Sequence, residues 1–478
     1  MIFRRKLCTI SRFSRICEKD LKVFEGILGK DAVLTEDIEM FTQDWTKQFK
    51  GRGSAVLSPK STEEVSAILA HCSKQKLAVV PQAGNTGLVG GSTPVHDEII
   101  LSINHINKQF SFDSTMGILQ CDAGFILQEL DEKLHTFGYM MPFDLGAKGS
   151  CRIGGNIATC AGGLRLVRYG SLHAHLLGLT VVLPDEKGTI LELGSAIRKD
   201  NTSFHTPHLF LGSEGMLGVI TNVTMTAVPK PLSVQSAMLG LQTFTDCQKI
   251  LRLAKSRLSE ILSSFEFLDA QIFECLEENL QLKRVLPTET PFTILVETSG
   301  SNSEHDQEKV GRFLEECMEN GWVTDGILAE SAADAAKMWQ VRESAPLATS
   351  RDGYVYKHDV SLPLEHFYEL TEVVRRKFGG KTKRIVTWGH LGDGNSHLNI
   401  TSEKFDEELY KNLYPFLYEW VVSHGGSISA EHGIGRLKLP YSNYGKSPAE
   451  RKLCQNLKHL FDPHGILNPY KFLATTTE

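Results

Sequence analysis

The stretch Asp144-Leu-Gly-Ala-Lys-Gly-Ser-Cys-Arg-Ile-Gly-Gly-Asn-Ile-Ala-Thr-Cys-Ala-Gly-Gly163 places six glycines in twenty residues. Glycine is costly in regular elements, so such density implies positive φ or a close approach of backbone to something large. Two more glycine-rich stretches flank it. Pro81-Gln-Ala-Gly-Asn-Thr-Gly-Leu-Val-Gly-Gly-Ser92 follows the apolar Ala78-Val-Val80, and Leu211-Gly-Ser-Glu-Gly-Met-Leu-Gly-Val-Ile-Thr221 lies further on. In the first, successive N–H groups around Gly84, Gly87, Gly90 and Gly91, with the Thr86 and Ser92 hydroxyls, can form an anion nest suited to a pyrophosphate. This stretch is not the Gly-x-Gly-x-x-Gly dinucleotide fingerprint, which argues against a nicotinamide Rossmann fold. Three backbone-approach segments suit a large, elongated ligand.

A second constellation lies in the C-terminal third. In His390-Leu-Gly-Asp-Gly-Asn-Ser-His397, Asp393-Gly394 is a two-residue hairpin signal. That register pairs 392 with 395, 391 with 396 and His390 with His397. Opposed residues share a sheet face with Cβ atoms about 4.5–5.5 Å apart, so two imidazoles can clamp one metal ion. Downstream, Ser429-Ala-Glu-His-Gly-Ile-Gly435 supplies Glu431 and a further imidazole, His432. Two histidines and a carboxylate with a position left open form a catalytic metal-site pattern. This ligand type suits zinc, and manganese, cobalt and iron also accept it. His432 would point elsewhere and is a candidate general base.

The chain has 478 residues, 41% of them hydrophobic and 23% charged, with net charge −6. That length implies two or three domains. The mild acidity argues against a nucleic-acid surface, and no apolar run approaches the roughly 18 residues of a membrane span. Ten scattered cysteines include no Cys-x-x-Cys pair, which implies a reducing compartment. Residues 1–17 carry Arg4, Arg5, Lys6, Arg12 and Arg15, with Ser11 and Ser14, and no acid before Glu18. They read as a mitochondrial transit peptide and are expected to carry no fold.

Between the motifs, helices are expected at Thr62–Lys74, Leu127–Phe137, His305–Asn320, Phe367–Phe378 and Leu409–Ser423. Strands are expected at Ile99–Ser102, Ile118–Cys121, Val219–Ala227 and Phe292–Thr298, and a hairpin at 177–193. Pro229-Lys-Pro231 marks a domain boundary.

The three glycine segments, in this order and spacing, with Gly465-Ile-Leu-Asn-Pro-Tyr-Lys471, resemble the vanillyl-alcohol-oxidase-type (PCMH-type) flavoprotein family. Within it, Leu145–Ser150, Arg351–Lys357, Gly389–Asn395 and Ser429–Gly433 resemble the mitochondrial D-2-hydroxy-acid dehydrogenases. The resemblance implies an α+β fold. A PCMH-type FAD-binding domain of two subdomains would span 35–231, and an α+β substrate-binding domain 232–420. A C-terminal segment, 421–478, would supply a metal ligand and pack back on the flavin. FAD would be held by Gly84, Asn85, Thr86, Gly87, Gly90, Gly91, Ser92, Gly149, Ser150, Gly154, Gly155, Asn156, Gly162, Gly163, Glu214, Gly215, Ile220 and Asn468. The metal ligands would be His390, His397 and Glu431.

The implied reaction is oxidation of D-2-hydroxyglutarate to 2-oxoglutarate in the mitochondrial matrix, with an electron-transfer flavoprotein as acceptor. The nearest alternative is D-lactate or another D-2-hydroxy acid. A homodimer is compatible with the resemblance. A metal would acidify the substrate hydroxyl. His432 would act on the substrate, and Arg342, Lys357 and Asn399 would bind it, the two cations suiting a dicarboxylate. The chain departs from the family pattern at Cys160 (usually Asn), Ser203-Phe204-His205, Met216 (usually Thr) and Pro346 (Thr in the similar dehydrogenases).

Overall fold

The computed structural model describes residues 12–473. The leader expectation needs correction where it can be examined. Phe13 is buried in the first core, and the Ser14 N–H donates to Lys76 O at 3.0 Å. This stretch therefore belongs to the fold, because Phe13 and Ile16 pack on the core and Ser14 bridges to Leu77. The rest of the expected leader, residues 1–11, lies outside the described residues.

The glycine-rich half builds two sheets over one apolar core. The smaller has the order Val33–Leu34, Ala55–Leu57, Ile99–Ser102, Val79–Gln82, with parallel pairing among the last three. Its inner strands carry buried apolar runs, Ala55-Val56-Leu57, Ile99-Ile100-Leu101 and Val79-Val80, as expected for strands buried on both faces. Thr62–Gln75 covers it, capped at its N-terminus by Ser61 Oγ accepting the Glu64 N–H. The larger sheet is antiparallel, in the order Phe110–Asp113, Ile118–Asp122, Val219–Thr226, Leu176–Val182, Ile190–Gly194. The chain's end returns here. Val79 N–H donates to Ile466 O at 2.9 Å, and Asn468 N–H to Val79 O at 2.7 Å.

From Ser233 the chain forms a seven-stranded antiparallel sheet. Its order is Asp325–Leu328, Ser233–Leu241, Phe292–Gly300, Leu262–Asp269, Arg384–His390, Asn395–Ser402, Tyr354–Ser361. One face of the last three strands packs Tyr356, Ile385, Leu398 and Ile400 against the helices Glu369–Phe378 and Glu407–Ser423. The opposite face carries polar residues, as the two-residue alternation of a strand allows.

His358 is an exception on the packed face. It is buried beside the Tyr414 and Tyr418 rings, at 4.6 and 5.6 Å between centroids. Neither ring nitrogen has a hydrogen-bond partner among the described residues. Burial, aided by the Lys438 charge, pushes its pKa down to about 3. Unfolded, it titrates near 6.5, so below that pH the unfolded chain binds more protons and stability falls as pH drops toward 3. His358→Phe should therefore remove about 1.4 kcal/mol of acid destabilisation per pH unit below 6.5. Denaturant melts of both proteins at pH 7, 5.5 and 4.5 check this. Parallel losses in the two would reject it.

Candidate functional site: a glycine-lined cleft beside a buried histidine pair

The hairpin joins the strands Arg384–His390 and Asn395–Ser402, but not in the expected register. His390 lies opposite Asn395, and His397 opposite Trp388. The loop is Leu391–Gly394, four residues rather than two. Gly394 takes φ +82°, but Asp393 does not take positive φ, so the two-residue turn is not formed. Leu391 is instead fully buried in the adjoining core, and the Gly392 N–H donates to Phe265 O at 3.1 Å. A longer loop buries that leucine. The register moved by two residues, which preserves the face. His390 and His397 remain diagonal neighbours on the polar side, with Nε2 atoms 3.4 Å apart.

Glu431 completes the group. Its Oε1 stands 3.7 Å from both imidazole Nε2 atoms. Atoms bound to one ion at about 2.0–2.2 Å with tetrahedral angles stand roughly 3.3–3.6 Å apart, so the three fit a single cation. Each imidazole turns its other nitrogen toward a carboxylate. His390 Nδ1 is 2.9 Å from Glu266 Oε1, and His397 Nδ1 is 3.7 Å from Asp359 Oδ1. Carboxylates behind ligand histidines orient them and fix their tautomers. A second grouping, Asp359, His397, Glu431 and His432, also brings ligand atoms within 4.8 Å. Asp359 is already committed, since its Oδ2 accepts the N–H groups of Ala430, Glu431 and His432 at 3.1, 3.0 and 2.9 Å. That leaves Asp359 placed to support the loop and His390 placed to offer the third ligand atom.

The electrostatics follow from burial. Burial would lower the His390 pKa, but the Glu266 charge and hydrogen bond outweigh it and raise it to about 10. Burial and then the His390 charge push His397 down to about 3, leaving a neutral imidazole. Burial opposes ionisation of Glu266 and Glu431, yet surrounding cationic groups, His390 foremost, hold both at about 2.

The proposed substrate residues share this face. Lys357 pairs directly with Asn399, two residues along from the Asp359–His397 pair. Lys357 is largely buried, and desolvation lowers its pKa despite the charge of Asp44. Arg342, from the helix Ala332–Glu343, gives Nε to Glu266 Oε2 at 2.8 Å, so it buttresses the carboxylate that holds His390. Pro346 lies exposed in the first turn of the next helix, where proline is tolerated. Glu266 and Asp359 escaped sequence reading. Asp359 was findable, two residues from Lys357 in a period-two strand, and Glu266 is a carboxylate inside the wholly buried run Leu262–Asp269.

His432 also lines a cleft in the glycine-rich half. The expected flavin residues fall into groups around it. Gly84, Thr86, Gly87, Gly91, Gly155 and Ile220 line it, as do Asn85, Ser92, Gly154, Asn156, Glu214 and Gly215. Gly90, Gly149, Ser150, Gly162, Gly163 and Asn468 are not among its lining residues. Several glycines answer to protein packing. A Cβ at Gly84 would meet Ser150 O at 2.2 Å, at Gly154 the Ala123 Cβ at 2.6 Å, and at Gly90 the Phe49 ring at 2.6 Å. Gly87 has no protein atom within 4 Å of its Cβ position, and Gly91 none nearer than 3.8 Å. Nothing in the protein excludes a side chain at those two, whereas a ligand lying on the backbone would. Arg152 Nε and Asn156 Oδ1, both on lining residues, are buried polar atoms without protein partners among the described residues. The cleft thus fits a large polar cofactor.

Several expected side chains have structural duties. Asn85 Nδ2 donates to Gln43 O at 2.8 Å, and its Oδ1 accepts from Ser92 Oγ at 2.7 Å. Asn468 Nδ2 clips Glu214 O and Gly91 O at 2.7 and 3.2 Å. Cys160 caps a helix with φ +49°, a left-handed conformation that asparagine tolerates better, so this departure from the family pattern bears on backbone strain. Met216 fills the first core, and Ser203-Phe204-His205 is exposed.

Residues 53–194 match the model of an FAD binding domain, and residues 230–472 that of the FAD linked oxidases, C-terminal domain. The chain belongs to this family of FAD-linked oxidases and is an FAD-dependent oxidoreductase. It is 48% identical over 462 residues to a protein of Rattus norvegicus named mitochondrial D-2-hydroxyglutarate dehydrogenase, covering 96% of this chain and 86% of that one. It is 43% identical over 482 residues to a putative mitochondrial D-lactate dehydrogenase of Schizosaccharomyces pombe, covering 97% and 91%. The fold is shared with p-cresol methylhydroxylase, with a TM-score of 0.74 at 14% identity over 96% of this chain and 97% of that one. Like the relatives so named, the chain is mitochondrial.

Gly87→Ala should leave the thermal stability of the FAD-free protein within about 0.5 kcal/mol of wild type, since the added carbon meets no protein atom. FAD affinity, read from flavin absorbance on titration, should fall at least tenfold. Gly84→Ala should instead destabilise the protein with or without flavin. Identical behaviour of the two variants would refute the distinction.

Proposed function

We propose that the protein oxidises D-2-hydroxyglutarate to 2-oxoglutarate, with FAD, which the glycine-lined cleft would hold, as the acceptor of the C2 hydride. The carrying observation is the convergence of His390 Nε2, His397 Nε2 and Glu431 Oε1 next to His432, which lines the flavin cleft. The names of the similar dehydrogenases support the substrate. Bound FAD supplies the two-electron acceptor, and a divalent cation such as zinc, held by His390, His397 and Glu431, would supply Lewis acidity toward the substrate hydroxyl.

The protein's own residues do the rest. His432 takes the hydroxyl proton at Nε2 while C2 loses hydride, so one O–H and one C–H bond break and C=O forms. Asp359 Oδ2, 3.8 Å from His432 Nδ1, stabilises the imidazolium so made. His432 stacks on His397 at 5.6 Å between centroids and 7° between planes, which holds its ring in place. Lys357 and Asn399 bind a substrate carboxylate from adjacent strands. Arg342 contributes to that charge complement from behind Glu266. The reading includes a matrix location and an electron-transfer flavoprotein as acceptor. Among the described residues no helix is long and apolar enough to cross a membrane.

Anaerobic mixing with D-2-hydroxyglutarate should bleach the flavin band, and the L enantiomer should not. Prior treatment with a strong chelator, or His390→Ala, should slow bleaching at least a hundredfold without displacing FAD. Unimpaired bleaching after both would end the metal reading. The similar putative D-lactate dehydrogenase keeps D-lactate as the second reading. Lys357→Met separates them, because it should raise KM for D-2-hydroxyglutarate more than tenfold and leave that for D-lactate little changed. Equal changes in both would place Lys357 on the carboxylate the two acids share, and kcat/KM for the two acids would then decide between them.

A further inference from the structure

The segment Ala430–Gly435 carries the proposed ligand Glu431 and the proposed base His432, and it is held from two sides by buried carboxylates. Asp359, from the seven-stranded sheet, takes the N–H groups of 430, 431 and 432. Glu214, from the third glycine-rich stretch, takes those of 434 and 435. Its Oε1 accepts the Ile434 N–H at 2.7 Å and its Oε2 the Gly435 N–H at 2.8 Å. Gly433 bridges the two grips at φ +85°, and a Cβ there would meet Glu214 Oε1 at 2.5 Å. The buried Lys438 ammonium lies 3.9 Å from Asp359 Oδ2, and its charge acts on both carboxylates. Glu214 itself takes φ +49° and is held through its carbonyl by Asn468. The other oxygen of Glu431 is also gripped from the flavin side, since Oε2 accepts the Gly163 N–H at 2.7 Å.

We propose that Glu214 is a positioning residue for the metal and substrate loop, rather than a group whose carboxylate serves the flavin. Both its oxygens are engaged by backbone N–H groups three and four residues beyond the ligand. Its own backbone sits on the cleft wall. It thereby sets the distance between the flavin-bearing half and Glu431, and with Gly163 fixes which Glu431 oxygen faces the imidazoles. Second-layer supports of this type commonly govern metal affinity by 10–100-fold.

The proposal rests on the metal reading above, and the experiment separates the two. Purified holoenzymes are compared for FAD content by absorbance and for zinc affinity by competition with a chromophoric chelator. Glu214→Ala should retain stoichiometric FAD while its zinc affinity falls at least tenfold and kcat falls with it. Glu214→Gln, which keeps one acceptor oxygen, should recover part of the zinc affinity. Gly433→Ala disturbs the same contact from the loop side and should reproduce the split, which covers the case in which Glu214→Ala does not fold. Wild-type zinc affinity in Glu214→Ala or in Gly433→Ala overturns the proposal, as does loss of FAD with zinc affinity retained. His390→Ala is the control, because wild-type zinc affinity there would remove the metal reading itself.

Discussion

Asp359 is the residue on which the site depends. One buried oxygen accepts three consecutive backbone N–H groups, so Ala430–His432 curls around it and brings Glu431 Oε1 and His432 Nε2 within 3.8 Å of each other; His432 does not point away from the group, as its place next to Glu431 suggested. Burial opposes a charge at that position. His432 and the Lys438 charge, together with the N–H donors, outweigh burial and hold the carboxyl well below the usual range. A buried anion with this many donors is a rigid fixture, since removing any partner would leave an uncompensated charge in low dielectric.

The sheet supplies the complementary half. Alternation sends Tyr356, Ile385, Leu398 and Ile400 to the helices and leaves Glu266, His390, His397, Asn399, Asp359 and Lys357 on the other face, beside Val386 and Trp388. Strands beneath a packed layer are stiffer than loops, so the imidazoles are held by elements with little freedom to move. The flavin-bearing half meets the loop beside this face through the Gly163 N–H and the Glu214 carboxylate. Glycine in such places serves contacts as close as 2.5–2.9 Å to a hypothetical Cβ, as at Gly433 and Gly162.

The hairpin shows how far sequence reading reached. Asp393-Gly394 indicated a turn, and the turn is there, but its length was wrong because Leu391 is drawn into a core formed by residues distant in the chain. The face survived because strand periodicity tolerates a shift of two. Cofactor residues were legible as a class from glycine density, yet sequence could not tell which glycines make room for protein and which leave room for a ligand. Gly84 and Gly87 look alike in sequence and differ entirely in surroundings. Glu266 was invisible because its partners, Arg342 and His390, lie 76 and 124 residues away.

Local chemistry therefore determined the kinds of groups present. Glycine-rich backbone marked a large ligand, paired imidazoles with a carboxylate marked a candidate cation site, and apolar periodicity marked most helices and strands. Motif order and spacing carried the family. Tertiary structure alone decided the loop length at His390, the duties of Glu214, Asp359 and Arg342, and the packing of Phe13 and Ile16 on the first core. Each of those outcomes depends on where a buried polar or apolar group finds its partner, and such partners are set by packing across the whole chain.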